Sequence, residues 1–232
     1  MRAMLRHWLW PLLLGIAAAG PAPVGAQSSC NGSSRQLEID LSRPEALPPP
    51  LPLPATLFGF NLPWLNFQDG YLDGEGKVRP EVLAWLAPFR GALLRYPGGT
   101  ESNWFEWRKS VGAAAGRAPI RYDGARSDAA RFGVDEFLQL SATLEAVPLF
   151  VLNLSGPYRR SWTDAELDTE VRAFADYLKS RLPPGQLTVC QGADRRCAAV
   201  VIELGNELDQ PPFVWPSAEY ARRARVAAQA IR

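Results

Sequence analysis

The stretch Val200-Val201-Ile202-Glu203-Leu204-Gly205-Asn206-Glu207 is an apolar run that ends in an Asn-Glu pair and passes into a proline-containing loop. It reads as a buried strand that delivers one carboxylic acid. Strands covered on both faces are continuously apolar, and in a parallel α/β barrel the polar residues at strand carboxyl ends face the active-site mouth. Glu207 is therefore the candidate catalytic acid; the alternative is a solvated glutamate where a strand meets a loop.

Upstream of this strand the chain alternates between strand and helix patterns. Leu57-Phe58-Gly59-Phe60-Asn61 is strand-like, and Pro80 to Phe89 reads as a short helix with Pro80 in its first turn. Ala92 to Tyr96 is a second strand, followed by a long Gly- and Trp-rich loop. Val134 to Ala146 is amphipathic, with Phe137, Leu140 and Leu144 on one helical face. Leu149 to Asn153 is a third strand, and Thr163 with Glu166 forms a capping box opening a helix through Leu167, Val171, Phe174 and Leu178. After the fourth strand, Ser217 is placed to cap a last helix running to Arg232.

Four β-then-α units of one sense imply a parallel sheet. An open doubly wound sheet carries a glycine-rich phosphate turn after its first strand, whereas Asn61-Leu62-Pro63-Trp64 stands there. Pro97-Gly98-Gly99 lacks the spacing and lysine of a phosphate-binding loop. The fold class expected is therefore α/β, a TIM (β/α)8 barrel with only about its first four units in this chain, since a whole barrel takes about 250 residues.

The amino-terminal segment is different in kind. Arg2 and Arg6 precede an apolar segment from Trp8 to Ala19 and a small-residue stretch ending at Ala26, the pattern of a secretory signal peptide over residues 1–26. Residues 27–54 read as a polar leader, a short strand at Leu37, Ile39 and Leu41, and a proline-rich spacer. Residues 55–232 form the barrel segment. A secreted or periplasmic location follows, with no membrane contact after signal cleavage.

In that oxidising setting Cys190 and Cys197, flanking a polar loop, are expected to form a disulfide worth about 2.5 kcal/mol. Cys30 is left over near the new terminus, where Gln27-Ser28-Ser29-Cys30 weakly matches a lipoprotein cleavage site. His7, the only histidine, leaves with the signal, so no metal site is expected, and no cofactor either. The net charge of +1 argues against nucleic acid as a partner. Eight tryptophans fit a carbohydrate surface and a core equally well.

Taken in order, Leu94-Arg95-Tyr96-Pro97-Gly98-Gly99-Thr100, Phe105-Glu106-Trp107-Arg108, Phe132-Gly133-Val134-Asp135-Glu136-Phe137, Pro148 to Leu154, Glu203 to Glu207 and Glu219-Tyr220 resemble the successive landmarks of clan A retaining glycoside hydrolases. The α-L-arabinofuranosidases are the nearest in kind, with heparanase-like glucuronidases next. The resemblance implies an acid/base glutamate at the end of strand four, here Glu207, and a preceding asparagine, Asn206, that bonds the sugar 2-hydroxyl. It implies that Arg95 on strand two orients the nucleophile, a glutamate at the end of strand seven for which these four units hold no counterpart. Arabinofuranosidases tend to carry a glutamate near the end of strand one, where this chain has Asn61.

Retaining hydrolysis uses two carboxyls about 5 Å apart, one protonating the leaving oxygen and one attacking the anomeric carbon. Asp209, Glu101 and Glu106 are other acids on loops at the same face, read as solvated loop charges or local ion pairs. Glu203, four residues before Glu207, is expected to pair with Arg95, because an unpaired charge in an apolar strand is costly. Trp104, Trp107 and Tyr158 either stack on sugar rings or pack beneath the loops. Asn153 either bonds a substrate hydroxyl or caps its own loop. Two readings remain: a secreted glycosidase acting on oligo- or polysaccharide, of which this is an incomplete catalytic domain, and a non-catalytic carbohydrate-binding module or truncated product.

Overall fold

The computed structural model describes residues 55–65, 70–182 and 200–232. The signal-like segment, the strand at Leu37 to Leu41, the proline spacer and the Cys190–Cys197 pair lie outside the described residues. The elements run β1 (Gly59–Asn61), α1 (Pro80–Leu86), β2 (Leu93–Tyr96), β3 (Ile120–Asp123), β4 (Arg126–Asp128), α2 (Val134–Thr143), β5 (Val147–Leu152), α3 (Asp164–Arg181), β6 (Val201–Leu204) and α4 (Ser217–Ala230).

Four strands form one sheet in the order β1-β2-β5-β6, and every pairing is parallel. Sheet order thus follows chain order, as successive β/α units require. Side chains alternate between faces with a period of two. Tyr96 and Phe150 therefore share the helix-covered face, where the Tyr96 ring stacks on Phe137 of α2 at 4.9 Å and Phe150 meets Phe174 of α3 edge-on at 5.3 Å. Tyr96 is fully buried, and its hydroxyl escapes an unpaired state by donating to the Phe132 carbonyl at 2.8 Å. Burial drives that phenol's pKa well above its ordinary value.

Several boundaries depart from those read in the sequence. α1 stops at Leu86 and continues as a 3₁₀ turn over Ala87–Phe89, because Pro88 has no N–H to give an α-helical bond. α2 ends at Thr143, not Ala146: Glu145 turns into the left-handed region (φ 51°) and the chain enters β5 at Val147, two residues before the expected start. Ser217 is the first residue of α4 and does not cap it, since the capping position is held by Pro216 with no side-chain bond. The long loop after β2 contains an antiparallel hairpin, β3 with β4, absent from the sequence reading.

The capping box of α3 forms as expected. Thr163 Oγ1 accepts the Glu166 N–H at 3.2 Å, and Glu166 Oε2 accepts the Thr163 N–H at 2.8 Å. That backbone N–H first, then Arg160 at 2.8 Å, holds the Glu166 carboxyl down from 4.5 to about 2. A folded-state pKa below the unfolded one gives stability that is present above the unfolded value and lost as pH falls through the folded one. The melting temperature of Glu166→Gln is expected to fall less steeply than wild type between pH about 5 and about 2. Parallel melting curves for the two proteins would show that the carboxyl is not held in solution.

Candidate active site

The register of β1 on β2 pairs Asn61 with Arg95. Leu149 pairs with Arg95, and Val151, two residues on, pairs with Glu203. By the period of two, Asn61, Arg95 and Glu203 all project from the face opposite Tyr96 and Phe150. There Arg95 Nε and Nη2 grip the two oxygens of Glu203 at 2.7 and 2.8 Å. Nη2 also donates to Asn206 Oδ1 at 2.8 Å, and Nη1 to Asn61 Oδ1 at 3.1 Å and the Gly98 carbonyl at 2.6 Å.

A guanidinium has five N–H donors, and all five are occupied. The Glu203 pairing expected from the sequence is therefore present, in the bidentate form that arginine favours. Hydrogen bonding to Glu203 is the main cause of a raised Arg95 pKa, with partial burial opposing it and the charges of Glu203, Glu101 and Glu207 adding to it.

β6 ends at Leu204, so Asn206 and Glu207 stand on a turn just beyond it. Gly205 lies at φ +78°, where a Cβ would come within 2.5 Å of the buried Leu208 Cδ1. The backbone conformation favours glycine, and a Cβ there would force the Leu208 side chain to shift. Asn103, from the 3₁₀ turn Thr100–Trp104 after β2, reaches this turn from the side: its Oδ1 accepts the Asn206 N–H at 3.0 Å and its Nδ2 donates to the Asn206 carbonyl at 2.6 Å. Asn103 is fully buried and was not singled out in the sequence.

Because Arg95 takes Asn206 Oδ1, the orientation of that carboxamide is decided, and Nδ2 is left buried without a partner. A buried donor left unpaired costs about 1–3 kcal/mol, and among the described residues Trp64 Nε1, Ser102 Oγ and Trp107 Nε1 share that state. Glu207, at φ +45°, is exposed, and its carboxylate makes no hydrogen bond or ion pair among the described residues.

Two residues expected to touch substrate are engaged elsewhere. Asn153 Oδ1 accepts the N–H groups of Ser155 and Gly156, both at 2.8 Å, and Nδ2 donates to the carbonyls of Gly156 and Phe105 at 3.0 and 3.3 Å. Its two donors and its acceptor are thus committed, and Asn153 anchors its own loop. Trp107 packs on Phe174 and Tyr177 of α3 at 5.3 and 5.2 Å, with the Arg108 guanidinium 4.7 Å over its ring. The ring is half-buried and packs beneath the loop against α3.

Trp104 is placed otherwise. With Glu101, Tyr122, Tyr158, Phe213 and Trp215 it lines an open cleft of about 760 Å³. Tyr122 belongs to the unforeseen hairpin, which is tied across by the Gly124 N–H donating to Tyr158 Oη at 2.8 Å. That bond first, and then Arg159, lowers the Tyr158 pKa. No group of three or more His, Cys, Asp or Glu residues suited to a metal ion occurs among the described residues, and none of their helices is long and apolar enough to cross a membrane.

The chain is similar to several known proteins. An intracellular exo-α-(1→5)-L-arabinofuranosidase of Streptomyces lividans is 29% identical over 177 residues, which cover 72% of this chain and 25% of that protein. α-L-Arabinofuranosidase C of Emericella nidulans is 29% identical over 167 residues, covering 69% of this chain and 31% of its own length. The chain thus spans a quarter to a third of the curated relatives it matches.

Among solved structures, the family 51 α-L-arabinofuranosidase AbfB of Bifidobacterium longum superposes with a TM-score of 0.56 at 21% identity, over 77% of this chain and 36% of that one. The arabinofuranosidase of Xanthomonas axonopodis pv. citri gives 0.54 at 20% identity, over 77% and 37%. At such identities the likeness shows the shared α/β fold. The family model of the alpha-L-arabinofuranosidase 1 domain matches residues 85–232, well over half of the sequence, and the chain belongs to that family.

Proposed function

We propose that this chain supplies the acid/base side of an α-L-arabinofuranosidase-type retaining glycoside hydrolase, exported to the periplasm or beyond and acting on arabinofuranosyl groups of oligo- or polysaccharides. The four parallel strands are the first four of a (β/α)8 barrel, and their carboxyl ends form the mouth. Glu207 protonates the leaving oxygen and later activates water, while Asn206 Nδ2 donates to the sugar 2-hydroxyl. The observation that carries this reading is the buried, unpartnered Nδ2 of Asn206, aimed by Arg95 and adjacent in sequence to a carboxylate with no protein partner among the described residues.

A carboxylate nucleophile must come from elsewhere in the barrel, about 5 Å from Glu207. Arg95 has no donor left for such a carboxylate while Glu203 holds it on two. That arrangement also favours a second reading, sugar binding without turnover. The 232-residue protein should bind methyl α-L-arabinofuranoside in calorimetric titration, lose that binding in Asn206→Ala, and release no nitrophenol from the aryl arabinofuranoside. Turnover abolished by Glu207→Gln would show that this chain alone completes the reaction, and absence of binding by the wild type would remove the sugar-site reading altogether.

A further inference from the structure

The turn that carries Asn206 and Glu207 is held against its own preference. Gly205 and Glu207 both lie in the left-handed region, at φ +78° and +45°, and for a residue with a side chain that conformation persists only where the surroundings impose it. The ladder of β5 with β6 ends at Leu204, so strand pairing does not reach Asn206. Downstream, the Gln210 N–H donates to the Glu207 carbonyl at 2.9 Å. Between these two points the backbone of Asn206 is held by the two bonds from Asn103.

A carboxamide presents a C=O and an N–H side by side, as a peptide group does. Asn103 therefore meets both polar groups of one residue, as a neighbouring strand would, and extends the edge pairing of β6 by one step. It is not a loose cap. Asn103 sits at zero exposure in a turn closed by Ser102 N–H to the Gly99 carbonyl at 2.9 Å and Phe105 N–H to the Ser102 carbonyl at 3.1 Å.

We propose that Asn103 is the positioning residue of this site: it fixes the Asn206–Glu207 turn, and so aims Asn206 Nδ2 and sets where the Glu207 carboxyl starts. The proposal rests on Asn206 and Glu207 being the sugar-contacting pair. Arg95 alone cannot do this work, because a single bond to Oδ1 leaves the Asn206 backbone free to relax out of its strained turn. No other side chain of similar size supplies both partners: aspartate lacks the donor when ionised, and leucine lacks both.

The test uses the 232-residue protein with Asn103→Leu, Asn103→Asp and, as a control destabilised away from the site, Val171→Ala in the buried face of α3. Amide hydrogen exchange at Asn206, relative to the β6 amides, and the dissociation constant for methyl α-L-arabinofuranoside are measured together with the melting temperature. Asn103→Leu should speed exchange at Asn206 about tenfold or more and weaken binding about tenfold, whereas Val171→Ala should lower the melting temperature without changing affinity. If Asn103→Leu does not fold, Asn103→Asp carries the test: it keeps the acceptor for the Asn206 N–H but sets an oxygen against the Asn206 carbonyl, so binding should weaken while exchange stays slow.

Wild-type exchange at Asn206 in Asn103→Leu, or an affinity loss matched by Val171→Ala, would overturn the positioning role. A wild type that binds no arabinoside would instead defeat the sugar-site reading, and the exchange result would still decide what Asn103 does to the turn.

Discussion

Glu207→Gln, made in a catalytically active form of the protein, is expected to slow hydrolysis of alkyl and oligosaccharide α-L-arabinofuranosides by roughly 10²–10⁴-fold, the usual worth of a positioned general acid. Nitrophenyl arabinofuranosides should lose far less in the glycosylation step. A nitrophenolate is stable enough to leave unprotonated, whereas an alkoxide leaves only as its proton arrives. The substitution keeps the shape of the side chain, and Glu207 has no protein partner among the described residues, so its replacement should leave the fold intact. Comparing kcat/KM for the two substrate types checks this directly. Equal losses on both would mean that Glu207 does not act on the leaving group, and unchanged rates would return it to an ordinary surface acid.

The β/α alternation was legible because each element carries its own local signal. The buried residues of α3 recur at Leu167, Val171, Phe174 and Leu178, and its start is marked by Thr163 and Glu166, so period and cap agree on one helix. The strands are short apolar runs, and β6 could be located from its composition, although Val201 to Leu204 are all half-buried where the run reads as a buried strand. The hairpin of β3 and β4 escaped because Arg126–Asp128 is exposed throughout and has no apolar alternation, although Asp123-Gly124 is a recognised turn signal.

The site was legible in part, and for a similar reason. The pairing of Arg95 with Glu203 could be anticipated because a charged residue inside an apolar strand must find a partner. Asn103 could not: it is a single polar residue in a loop, and its contacts with Asn206 span 103 positions of sequence. Trp107 and Asn153 show the other failure. The residue type permits both a sugar contact and a packing or capping role, and only the positions of Phe174, Tyr177, Ser155 and Gly156 show the packing and capping.

Arg95→Lys is expected to be nearly as damaging to the site as outright removal of the charge. Lysine keeps the positive charge, but its ammonium is a compact donor that cannot reproduce the planar fork now gripping Glu203, Asn206, Asn61 and Gly98. Glu203 would lose its bidentate partner, and Asn206 Oδ1 the bond that decides which way its amide points. Breaking a fully buried ion pair costs about 3–5 kcal/mol, but the Glu203 side chain retains 38% of its exposure and water can repair part of the loss, so about 1–3 kcal/mol is expected here. Affinity for methyl α-L-arabinofuranoside should fall by more than tenfold, since one bond fewer on Asn206 lets its carboxamide rotate. Thermal unfolding and calorimetric titration of the same sample separate the two effects. A variant that melts like the wild type yet fails to bind would make Arg95 a site residue above all; one that loses stability but binds normally would reduce it to the counterion of Glu203. The pair Arg95→Met with Glu203→Met then isolates the coupling: if the double variant recovers stability but not binding, the ion pair is present in this sheet for the geometry it imposes on Asn206, since a matched apolar pair would hold the strands equally well.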